Sequence, residues 1–110
     1  MKRGEVWTAA AGAGYIGKPR PIVVIQDDRF DATNSVTVCA FTTDLMDAPM
    51  LRPLVEASVQ NGLHEPGSLM VDKITTVRRD KLGELLGRLS SEDMVRLERS
   101  IVVFFGLAGS

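Results

Sequence analysis

An arginine held between two prolines, Pro19-Arg20-Pro21 in "GKPRPIVVIQ", is the side chain of this 110-residue sequence best mounted for phosphate chemistry. A proline disfavours the helical region for the residue before it, so Pro19 and Pro21 keep Lys18 and Arg20 extended. Pro21 also lacks an N–H, which places the strand it opens at an edge or opening of its sheet. The guanidinium therefore stands on stiff backbone at the rim of a rigid element. Its planar fork suits bidentate contact with an oxyanion, phosphate above all. A donor already in place need not reorganise as charge develops in a transition state. Gly12, Gly14 and Gly17, just upstream, would let backbone approach a polyanion closely. The same pattern also fits a plain strand start.

Thr42 is the second candidate. In "VTVCAFTT" the alternation of a strand puts Val36, Val38, Ala40 and Thr42 on one face, so a hydroxyl ends an apolar row. It could cap the strand or bond a nearby backbone group. It could equally point into an opening beside Arg20, if the two strands are neighbours, as consecutive strands usually are.

The elements that must hold these groups follow from the pattern. A first strand is expected over residues 4–10, followed by a small-residue loop. The run "PIVVIQ" (21–26) is apolar on successive positions and predicts a central strand covered on both faces. Residues 36–43 are β-branched and aromatic, a further strand. "LRPLVEA" predicts a shorter edge strand, and "SLMVDKITTV" (68–77) one continuous strand. In "RRDKLGELLGRLS" the leucines have helical spacing, but Gly83 and Gly87 penalise a helix interior. The expectation is a helical turn near 78–82, then a strand to about Leu89. The last segment has serine caps and early acids, as helix N-termini prefer. Met94, Leu97, Ile101 and Phe104 or Phe105 would form its apolar stripe, and Gly106 its stop. The class is mainly β with α (α+β): one domain over 1–110, a small antiparallel barrel with a C-terminal helix packed on it. The run Val102–Phe105 exceeds what one core face needs and hints at a subunit interface, although full burial in one chain reads equally well.

Composition narrows the function. Net charge is −1, yet residues 1–21 set four cations against Glu5 and residues 73–88 set five against two acids, on either side of an acidic middle. If the basic segments meet, they make a local positive patch. One histidine and one cysteine leave no plausible zinc site. Cys39 reads as a buried thiol in a reducing compartment. No apolar run is long enough to span a bilayer, and no h-region follows "MKRGEVW", so the chain reads as cytoplasmic with no membrane partner.

The segments "RGEVW", "RPIVVIQDD", "VTVCAFTT", "SLMVDKITTV", "LGRLS" and "FFGL" occur in the order and approximate spacing of the MazF/PemK toxins of bacterial toxin–antitoxin modules, so the chain resembles that family from about Lys2 to Leu107. The resemblance implies a small closed PemK/CcdB-like barrel, a homodimer, and cleavage of single-stranded RNA at short sequences without a metal or other cofactor. It also implies inhibition by an antitoxin whose tail lies across the dimer. Carried over, the family's phosphate-handling arginine and threonine fall on Arg20 and Thr42. Tyr15, Gly17, Lys18, Thr43, Asp72 and Lys73 are the expected substrate-binding residues, with Tyr15 able to stack on a base. Two departures stand out. The "GSEQ"-like acidic motif before the arginine is replaced by "AAGAGYIGK", and the arginine of some members two positions before Asp72 is Met70. No general base or acid transfers. A CcdB-like, non-enzymatic binder of DNA gyrase and a catalytically inactive nucleic-acid-binding regulator are the alternative readings. His64, in "NGLHEPG", matches no family motif residue and is assigned to the surface.

Overall fold

The computed structural model describes residues 1–10, 19–107 and 109. Among these residues seven strands and one α-helix follow one another: β1 Glu5–Ala9, β2 Arg20–Val24, β3 Ser35–Thr42, β4 Leu54–Val55, β5 Gly67–Leu69, β6 Thr75–Arg78, β7 Leu82–Arg88 and α1 Ser91–Phe104. All pairings are antiparallel, in the order β4-β5-β3-β2-β1-β7, with β6 paired to the first half of β3.

Each face of the curled sheet carries an apolar cluster. Register aligns Val6, Val23 and Cys39 across β1, β2 and β3. With Phe41, Val55, Leu69, Val71 and Leu89 they form the first cluster, which Leu97 of α1 closes. Ile22, Val24, Val36, Val38 and Ala9 form the second, on the other face. The strand β2 is thus buried on both sides, as its unbroken apolar run predicts.

The sheet is a half-barrel, and among the described residues its end strands β4 and β7 do not pair. The connection 56–63 bridges them instead: the Arg88 N–H donates to the Gln60 carbonyl at 2.9 Å. Buried Asn61 holds that bridge, accepting from Ser58 and Leu63 and donating to the Glu56 carbonyl. A Cβ at position 87 would lie 2.2 Å from the Gln60 oxygen, so only glycine permits this approach. Pairing with β1 makes the leucine-rich segment with helical spacing a strand, preceded by the expected helical turn, a 3₁₀ turn at Arg79–Lys81.

Three expectations change. The segment 68–77 is two strands, interrupted by a 3₁₀ turn at Val71–Lys73 in which the Lys73 N–H donates to the Met70 carbonyl. The break lets β5 pair with the end of β3 while β6 pairs with its start. The edge strand in "LRPLVEA" shrinks to Leu54–Val55. The helix starts as expected, with the Ser90 hydroxyl accepting from the Asp93 N–H at 3.1 Å, and Gly106 follows it at φ +70°. Its buried stripe, however, is Met94, Leu97, Ser100 and Ile101. Phe104 and Phe105 are 46% and 52% exposed and pack edge-to-face on each other rather than on the core. Among the described residues no helix is long and apolar enough to cross a membrane.

Candidate functional site

Arg20 opens β2 and Thr42 closes β3. The two strands are neighbours, in the register Ile22↔Ala40, Val23↔Cys39, Val24↔Val38. Arg20 and Thr42 lie two residues beyond the first of these pairs, at the same end of the two strands. On the other side of Arg20 stands Ala9 of β1. Both side chains line one groove of about 400 Å³ on the second face of the sheet. Small residues make it a hollow: Ala9 and Ala40 lie between Arg20, Ile22 and Val38 on its floor.

Thr42 Oγ1 accepts the Asp44 N–H at 3.1 Å, which leaves its own hydrogen for another acceptor. Lys73, delivered by the 3₁₀ turn that breaks the strand, lines the same groove. Arg20 comes from the first basic segment and Lys73 from the second; the two segments also meet along the β1–β7 pairing, but at the groove they bring these two cations together. Among the described residues several other cations are taken up elsewhere: Lys2 by Asp31, Arg3 by Glu98, Arg78 by Asp80 and Arg88 by Glu5. Arg79 donates to the Asp31 and Thr33 carbonyls.

A third cation at the groove went unpredicted. Arg52, buried just before Pro53, lines the groove and donates to Asp72 from Nε at 2.7 Å and from Nη2 at 3.1 Å. The Arg52 guanidinium holds the Asp72 carboxyl below the usual carboxylate range and outweighs the opposing effect of its burial. Asp72 is thereby an anchor for Arg52, its oxygens already occupied by that fork. Arg52-Pro53 repeats the Arg20-Pro21 dipeptide, and this was the signal available for it. Met70 stands two residues ahead of Asp72, and the guanidinium that pairs with this aspartate comes from Arg52 in a different strand connection.

Thr43 points away from Thr42, as alternation requires, and lines a second hollow of about 380 Å³ beneath the end of the strand pair. Arg20 borders both hollows. His64 is exposed, as assigned, and also lines the second hollow. Tyr15, Gly17 and Lys18 lie outside the described residues. Trp7 is half-buried against the second cluster, donating Nε1–H to Glu5 Oε1 at 3.1 Å, and is structural. Cys39 is fully buried, and burial foremost pushes its thiol up to about 12, which makes it a poor nucleophile.

The groove thus sets an exposed guanidinium, a hydroxyl and an ammonium around a hollow one phosphate group could enter. A family model described as the PemK-like, MazF-like toxin of type II toxin–antitoxin systems matches residues 2–105. A "Probable endoribonuclease MazF" of Mycolicibacterium smegmatis is 55% identical over 109 residues, covering 99% of this chain and all of that one. Among solved structures, a mycobacterial endoribonuclease in complex with its cognate antitoxin superposes with a TM-score of 0.80 at 23% identity, covering 100% and 99% of the two chains. A MazE–MazF complex from Deinococcus radiodurans gives 0.75 at 15% identity, covering 96% of each. At those identities the structural likeness speaks for the fold.

Proposed function

Because the chain belongs to the PemK-like, MazF-like toxin family of type II toxin–antitoxin systems, we propose that it is an endoribonuclease toxin cleaving single-stranded RNA at the groove between Arg20 and Thr42. The observation that supports this reading is that Arg20 opens β2, Thr42 closes the neighbouring β3, and both line one hollow. A gyrase-binding toxin has no evident need for such a pair, and the 55% identical relative is named an endoribonuclease.

RNA brings its own nucleophile. The 2′-oxygen loses its proton and attacks the adjacent phosphorus in line, the bond from phosphorus to the 5′-oxygen breaks, and that oxygen takes up a proton. The products are a 2′,3′-cyclic phosphate and a 5′-hydroxyl. With an internal nucleophile the protein's task is positioning and charge, and no metal-bound water is required. Arg20 binds the non-bridging oxygens, Thr42 donates its hydroxyl hydrogen to one of them, and Lys73 adds positive charge at the groove wall. Arg52 is held in position by Asp72. The bases are read unstacked, in hollows beside the groove.

The same groove suits an acidic segment of an antitoxin, the kind of partner seen with the mycobacterial and Deinococcus structures. Exposed Val102, Val103, Phe104, Phe105 and Leu107 offer apolar surface to a second copy of the chain. The protein acts in the cytoplasm, where its substrate is. Purified protein mixed with a defined single-stranded RNA in the presence of a chelator is expected to cut it, leaving 2′,3′-cyclic phosphate and 5′-hydroxyl ends on mapping. Intact RNA, or 5′-phosphate ends, would refute the mechanism.

A further inference from the structure

The second hollow has a use that the cleavage step leaves open. It lies directly across Arg20 from the groove, so a strand whose phosphate sits on Arg20 has a neighbouring nucleotide within reach of it. Its walls include Pro19, Pro21 and Leu63, apolar surfaces of the kind a base face packs on, with Arg20 and Thr43 on the strand side and His64 and Glu65 on the loop side as the polar groups. The His64 and Glu65 side chains are both exposed, and among the described residues neither makes a hydrogen bond or ion pair. A third hollow, of about 300 Å³, shares Pro19, Pro21, Leu63 and His64 with the second. Arg20 thus borders the first and second hollows and His64 the second and third, so a single strand held at Arg20 has further hollows beside it.

Resting on the nuclease reading above, we propose that the second hollow receives the base next to the scissile phosphate, that Glu65 reads its Watson–Crick edge, and that His64 stacks between this base and the next. The chemistry of a carboxylate selects the base. Two oxygens side by side accept best from two N–H groups side by side, which guanine offers at N1 and N2. Uracil flanks its one N–H with carbonyls, and adenine and cytosine each set a ring nitrogen acceptor beside their amino group. Those acceptors face the carboxylate unfavourably. An imidazole ring is among the side chains on which unpaired bases stack, and stacking is indifferent to which base is present.

The test is a randomised pool of single-stranded RNA, cut by each protein, with product ends sequenced. The parent protein is expected to favour guanine at one of the two positions flanking the cut. Glu65→Gln should lose about tenfold or more of that preference while other positions keep theirs. His64→Ala should weaken binding of an uncleavable RNA, deoxy-substituted at the cut, and leave the base preference unaltered. A Glu65→Gln protein that cuts with the parental preference, or a parent indifferent to guanine at both flanks, overturns this inference alone. A parent that cuts nothing overturns the nuclease reading and this inference together.

Discussion

Arg20→Ala is expected to slow RNA cleavage by about 10²–10³-fold, the usual cost of removing one preorganised donor from a developing oxyanion. The side chain is exposed at the first residue of β2 and belongs to neither apolar cluster. Thermal unfolding should therefore stay close to that of the parent, within the range of ordinary surface substitutions. Arg20→Lys is a sharper form of the same test. It keeps the charge but loses the planar fork, so its rate should fall between the other two. Measured as kcat/KM on a short RNA of known cut site, a parental rate in Arg20→Ala would remove Arg20 from the chemistry. A variant that is slow only because it has unfolded would be exposed by its melting curve.

The second expectation concerns the substrate. A single 2′-deoxynucleotide placed 5′ to the scissile phosphate should abolish cleavage at that bond, because the nucleophile is gone and nothing in the proposed site replaces it. Binding should persist, since phosphate contacts and stacked bases are unaffected by one missing hydroxyl. Competition of the deoxy-substituted strand against the all-RNA strand measures that directly. Cleavage of the deoxy strand would mean that water attacks, and a general base would then have to be sought in the groove.

Much of this was legible in the sequence because it depends on local rules. Unbroken apolar residues in β2 announced a strand covered on both faces, and Ser90 with Glu92 and Asp93 announced the helix start. The alternation in β3 put Thr42 at the end of the face that carries Val36, Val38 and Ala40. What escaped depends on contacts distant in the chain. The break at Val71–Lys73 follows from how β5 and β6 share one edge of β3, which no periodicity within 68–77 reports. Arg52 and Asp72 are twenty positions apart, and their bidentate pair exists only once the 3₁₀ turn brings Asp72 round. Phe104 and Phe105 kept helical spacing yet missed the core, because spacing gives direction around a helix and not how far the sheet beneath it extends. Segment charge did not show where the cations go for a similar reason: several of them find carboxylates or carbonyls away from the groove.

The account rests on Arg20 and Thr42 gripping the same phosphodiester, and a double-mutant cycle on kcat/KM measures that coupling directly. Arg20→Ala, Thr42→Ala and the double variant would be compared on one RNA, each with its melting curve. If both side chains serve one phosphate, the losses do not multiply, and the double variant is little slower than the slower single one. Two losses that multiply in full would show the arginine and the threonine acting independently, and would contradict the shared grip.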